Sequence, residues 1–167
     1  MQIKGFSAIL PTFAAYQIHT NVLYLLKMKK KRLDIDYSYD FELIGIISPL
    51  KGYKLAWEIN NRLEVKLIKE NDLQITFKKG AESSFSYFSY QVEGNTLKLF
   101  RNKSSEQELS KNILVPEYPH FDFILMTQSD DTGKSNRLQE VLRTIPSIEL
   151  VAFIPLDALK SKDHFIF

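Results

Sequence analysis

The chain predicts an α+β fold, a largely antiparallel sheet with helices packed on one face, including a C-terminal β-α-β unit. Three observations predict it. Several short segments alternate apolar and polar residues, as half-buried strands do; two stretches place apolar residues at helical spacing; and the second of these lies between two apolar runs of strand length.

Arg32 to Tyr39 sets Leu33, Ile35, Tyr37 and Tyr39 against Asp34, Asp36, Ser38 and Asp40, which predicts a first strand. Phe41 to Ile47 is a compact apolar run that ends at Ser48-Pro49 and contains Gly45. It suits a short buried helix or a second strand, and Asp40 as an N-cap favours the helix. From Lys51 to Leu63 the charged residues Lys51, Lys54, Glu58 and Arg62 recur at three and four. Tyr53, Ala56, Trp57, Ile59 and Leu63 cover the other side, as in an amphipathic helix. Glu64 to Ile68 and Leu73 to Phe77 are short strands, and the polar residues Lys69 to Asp72 form a hairpin turn or a break between them. Phe85 to Gln91 is a strand aromatic on both faces, and Glu93-Gly94-Asn95 turns it into Thr96 to Asn102, giving a meander. Asn102 to Asn112 is the most polar stretch and reads as an exposed loop.

Phe121 to Thr127 is an apolar strand; Leu138, Val141, Leu142 and Ile145 then sit at helical spacing, Pro146 stops that helix, and Ile148 to Ile154 is another strand. Strands joined in this way lie parallel, with or without a third strand between them. Leu156 to Phe167 contains a short helical turn and ends in Phe165-Ile166-Phe167, apolar enough to dock rather than fray.

With 167 residues, 44% hydrophobic and 25% charged, the composition suits one domain with its own core. The absence of cysteine excludes disulfides, thiolate zinc sites and a cysteine nucleophile, and fits a cytoplasmic address. His19, His120 and His164 are far apart in sequence, so neither a dedicated metal site nor a cofactor is expected. Residues 1 to 27 contain no acid and no sustained helical period, and Met28-Lys29-Lys30-Lys31-Arg32 reads as an ordinary translation start. The expected organisation is therefore a non-native or disordered extension over 1–27 and a single domain over 28–167. Apolar residues followed by basic ones reverse the order of a signal peptide. Gln17, His19, Thr20 and Asn21 argue against a membrane span. Of the 22 bases only Lys4 and Lys27 precede Met28, leaving 20 against 20 acids, a poor electrostatic footprint for nucleic acid.

Val115 to Phe123, Val-Pro-Glu-Tyr-Pro-His-Phe-Asp-Phe, places two carboxylates and two prolines against the start of an apolar strand. It resembles the pattern of the IPExxxVDY family of small bacterial proteins. Pro116, Glu117 and Asp122 match; Val115 stands for Ile, Phe121 for Val and Phe123 for Tyr. The resemblance implies a shared fold over about residues 28–167 and no established activity.

Each candidate site has a structural reading beside the functional one. Glu117 and Asp122 are either an acid–base pair, with His120 able to join them, or supports of the turn set by Pro116 and Pro119. In the second case Asp122, on a face with Ile124 and Met126, accepts backbone or tyrosine hydrogen bonds. Gly133-Lys134-Ser135 stands where a phosphate loop would, but position 128 is Gln and Asp130 and Asp131 repel phosphate; a polar turn with a helix cap fits better. Tyr53, Trp57 and Asn60 share a helical face as a binding surface, or Asn60 ties a neighbouring loop carbonyl into the core. The strand with Phe85, Tyr87, Phe88 and Tyr90 stacks bases or packs the core, and core packing is favoured by its lack of Arg and Lys.

The functional expectation is a non-enzymatic binding or regulatory protein contacting a protein partner or its own copy. Its rivals are an RNA-associated role using Lys29 to Arg32 beside the aromatic strand, and an enzyme of unrecognised type.

Overall fold

A computed structural model describes residues 39–77, 82–105, 112–129 and 134–167. The extension expected over 1–27, the start expected at Met28, the Lys29 to Arg32 run and the strand expected from Arg32 lie outside the described residues, except Tyr39, which is in no strand. Gly133 and the side chains of Lys134 and Ser135 also lie outside them. The contact pattern separates residues 1–38 from Tyr39–Phe167, the unit described here.

In chain order the elements are β1 (Glu42–Ile47), α1 (Gly52–Leu63), β2 (Ile68–Lys69), β3 (Leu73–Thr76), β4 (Glu82–Phe85), β5 (Tyr87–Val92), β6 (Asn95–Arg101), β7 (Phe123–Ser129), α2 (Lys134–Leu142) and β8 (Leu150–Ile154). Six strands form one sheet in the order β2-β5-β6-β7-β1-β8, and β3 pairs with β4 in a separate small sheet. Every pairing is antiparallel. Because β7 and β8 both run antiparallel to β1, which lies between them, they are parallel to each other. The expected β-α-β unit is therefore present, split by β1.

β1 corrects the helix expected over Phe41 to Ile47. Its central residues Leu43 to Ile46 are buried, and a strand covered on both faces is apolar at every position, a pattern a short buried helix would share. Asp40 caps no helix; its carboxylate accepts a hydrogen bond from Gln128 at 2.6 Å. The stretch from Phe85 is likewise two elements rather than one. Phe85 closes β4 in the small sheet, whereas Tyr87 opens β5 in the large one, and the polar residues after Lys69 break β2 from β3 rather than joining them in a hairpin. The β5–β6 turn is the one expected: Val92 faces Asn95, and Gly94 takes a left-handed φ of 72°.

Both helices lie against one face of the sheet. Leu55, Ala56 and Ile59 of α1 and Leu142 of α2 bury with Ile44, Ile46, Leu97, Leu99, Leu125 and Val151. The buried arc of α1 is centred nearer Leu55 than the sequence reading placed it, which leaves Tyr53 and Trp57 beyond its edge, 59% and 65% exposed. On the other face Leu43, Phe100, Ile124, Met126 and Ile154 are covered by Ile75 and Phe85 of the small sheet, by Leu114, Val115 and Phe121, and by the C-terminal tail. The tail docks as expected, through two 3-10 turns: Phe165 packs against Phe100 at 5.3 Å and Phe41 at 6.1 Å between ring centres.

Candidate functional site

The loop from Val115 to Phe123 is held by a residue that its polar neighbourhood conceals. Asn102, expected in an exposed loop, follows β6 and is fully buried. Its side-chain oxygen accepts the Val115 amide at 2.9 Å, and its side-chain amide donates to the carbonyls of Tyr118 at 3.0 Å and Phe121 at 2.9 Å. Its backbone accepts from Leu114 and donates to Asp122. An asparagine buried at such a crossing uses its donors and acceptor together, which fixes one loop conformation.

The two carboxylates of the loop are employed separately. Glu117 accepts the amides of Lys160 at 2.8 Å and Ser161 at 3.1 Å, and the Ser161 hydroxyl at 2.8 Å. It therefore anchors the C-terminal tail, beyond the turn in which it sits. Burial works to raise its pKa. The Ser161 hydroxyl and the amides of Glu117, Lys160 and Ser161 outweigh burial and hold the carboxyl below its ordinary value. Asp122 lies just before β7, so strand alternation does not place it with Ile124 and Met126. One of its oxygens accepts the Ser48 amide at 3.3 Å, and the other pairs with the Lys103 ammonium at 3.1 Å. The exposed His120 ring lies 4.3 Å from that of Phe121, and Pro116 is exposed.

Asp122 opens onto a cleft of about 860 Å³ that neither Glu117 nor His120 lines. Lys51, Lys69, Arg101 and Lys103 enter its wall, Asp122 is the one carboxylate there among the described residues, and Ser48, Ser86 and Ser105 belong to the same wall. The rest is Pro49, Leu50, Gly52, Tyr53, Phe88 and Phe123. Topology assembles these residues. Lys51 and Gly52 sit at the start of α1, Lys69 on edge strand β2, Phe88 on β5, Arg101 at the end of β6, and Phe123 at the start of β7. Lys103 is balanced by Asp122 and Lys69 by Asp72, whereas Lys51 makes no ion pair among the described residues.

Gly52 sets the depth of the cleft at the start of α1. A Cβ there would meet Phe88 at 3.3 Å and Phe123 at 3.5 Å, so the backbone lies directly on the aromatic floor. Lys51 offers no side-chain cap, the first turn of α1 carries no acid, and the amides of Gly52 and Tyr53 have no acceptor among the described residues.

Of the remaining sequence candidates, Tyr53 lines the cleft, Trp57 stands one turn further along α1 in solvent, and Asn60 turns to the chain that follows. The Asn60 side chain accepts the Leu67 amide at 2.7 Å and donates to the Leu67 carbonyl at 3.2 Å, the loop-tying arrangement weighed for it above. Phe88 and Tyr90 pack against the helix-side core and Tyr87 stacks on Phe100 at 5.2 Å, so the aromatic strand spends most of its rings on packing. The four cations were missed because they come from three segments of the chain. Arg101 and Lys103 alone carry a sequence signal, at the two-residue spacing that keeps side chains on one face of an extended chain. Among the described residues no group of three or more His, Cys, Asp or Glu is placed to hold a metal ion, and no helix is long and apolar enough to cross a membrane.

No family model, curated protein or solved structure matches the chain, so the resemblance at Val115 to Phe123 stands on its own nine residues.

Proposed function

We propose that the protein is a non-catalytic binding protein that holds an anionic ligand in the cleft beside Asp122. The observation that carries this reading is the lining itself, in which, among the described residues, four cations accompany one carboxylate around a volume suited to a small molecule. Catalysis is disfavoured by the same lining. Among the described residues it contains no histidine and no base bonded to its serines, and Asp122 is committed to Lys103 and the Ser48 amide. A cytoplasmic setting is supported by a sequence without cysteine.

Thermal unfolding of the full chain in phosphate, pyrophosphate and citrate, against chloride at equal ionic strength, tests the reading. The melting temperature should rise with a multivalent anion, and the rise should vanish in Lys51→Glu/Lys103→Glu. A rise that survives charge reversal, or none with any anion, overturns it.

A second reading, contact with another copy of the chain, is favoured by the exposed pair Tyr53 and Trp57 one turn apart on α1, because large exposed aromatics often anchor interfaces. Light scattering after size exclusion should then show a dimer that Trp57→Ala converts to monomer; a wild-type monomer at high micromolar concentration removes this reading.

A further inference from the structure

We infer that the cleft takes a nucleoside phosphate, with the phosphates held by the cations and the base laid against the aromatic wall. This rests on the anion-binding reading and goes further by naming the ligand class. The lining has two characters. Lys51, Lys69, Arg101 and Lys103 supply positive charge, and Ser86 and Ser105 supply hydroxyl donors. Pro49, Leu50, Tyr53, Phe88 and Phe123 supply apolar and aromatic surface in the same cavity. Inorganic phosphate has no use for that surface, and a cleft of about 860 Å³ is far larger than phosphate needs.

Gly52 joins the two halves. Its backbone rests on the rings of Phe88 and Phe123, and Gly52 and Tyr53, whose amides have no acceptor among the described residues, line the cleft beside that apolar wall. A ligand with phosphates at those amides and at Lys51 therefore has its next atoms over aromatic carbon. Tyr53 is 59% exposed, so its ring is accessible to a second flat ring, and a base stacks on an aromatic side chain whatever its sequence identity. Lys103 is tied to Asp122 and Lys69 to Asp72, and Lys51, which makes no ion pair among the described residues, adds its charge beside the start of α1.

The test is calorimetric titration of the full chain with pyrophosphate, ribose 5-phosphate, nucleoside mono- and diphosphates and a short single-stranded RNA. Fluorescence of Trp57, the one tryptophan in the chain, follows binding independently. A nucleoside diphosphate should bind more tightly than pyrophosphate. Tyr53→Ala, at an exposed position, should weaken the nucleotide roughly five-fold or more while leaving pyrophosphate unchanged. Lys51→Glu should weaken both, and circular dichroism should show both variants folded. Equal affinity for pyrophosphate and nucleotide, untouched by Tyr53→Ala, overturns the nucleotide assignment and leaves anion binding standing. RNA binding tighter than that of every mononucleotide overturns the assignment to a free nucleotide. Failure of all these anions to bind removes both readings.

Discussion

The ring of Phe121 occupies the space where a side chain at Gly45 would begin: a Cβ at Gly45 would fall 2.4 Å from two of its carbons. Gly45 is in the middle of β1, an interior strand between β7 and β8, and Phe121 belongs to the loop that covers that face, so the glycine lets the loop seat directly on strand backbone. Gly45→Ala should destabilise the protein by about 1–3 kcal/mol through overpacking. Phe121→Leu, costly alone, should recover part of that loss when combined with it, and urea unfolding of the two single variants and the double measures the coupling. Strict additivity would show that the two residues do not share this space.

Asn102→Ala should cost about 2–4 kcal/mol, because it orphans the Val115 amide and the carbonyls of Tyr118 and Phe121 in a buried site. Asn102→Asp separates geometry from volume. It keeps an acceptor for Val115 but turns a carboxylate toward two carbonyls, so at pH 7 it should be at least as damaging as the alanine. Its deficit relative to wild type at the same pH should shrink as the acid protonates. An alanine variant within about 0.5 kcal/mol of wild type in urea would rule out this role.

Glu117 makes stability depend on pH in a definite direction. Its folded pKa lies below the unfolded one, so in the window between them the unfolded chain binds more protons and stability rises with pH. The contribution is fully present above the unfolded carboxylate value, about 4.3, and is lost as pH falls through the folded value. Urea midpoints from pH 6 down to pH 3 should therefore fall less steeply for Glu117→Gln than for wild type. Faster amide exchange near Lys160 and Ser161 in the variant would locate the effect in the tail. Parallel pH profiles would remove Glu117 as the cause.

Local patterns were legible where one face of an element decides its sequence. The β5–β6 turn, the position of α1, the split β-α-β unit and the loop-tying of Asn60 all follow from spacing or from turn chemistry. β1 was not legible, because burial on both faces removes the alternation that marks a strand. Asn102 was hidden for the opposite reason: it belongs to a polar run, and only the chain returning through Val115 to Phe121 buries it. The cleft was the least legible feature. Its cations are unremarkable singly, and their proximity exists only once edge strand β2 has paired with β5, and β6 with β7.

Asp122 distinguishes a binding cleft from an active site by the sign of one measurement. Among the described residues it is the only carboxylate in a lining with four cations, and its pair with Lys103 is partly exposed, so the pair itself contributes about 0–1 kcal/mol to stability. Asp122→Asn retains an oxygen for the Ser48 amide, removes the negative charge and frees the Lys103 ammonium toward the cleft. If Asp122 is a counter-ion to the basic lining, pyrophosphate should bind more tightly to the variant, by about 1 kcal/mol or roughly five-fold at low salt. The gain should shrink as salt screens the cleft. A carboxylate that a ligand or reaction requires gives the reverse, a loss of binding or turnover in a variant whose urea midpoint has hardly moved. Titration of wild type and Asp122→Asn at two ionic strengths decides between them, and a weaker or unchanged affinity in the variant would remove Asp122 from the role of counter-ion.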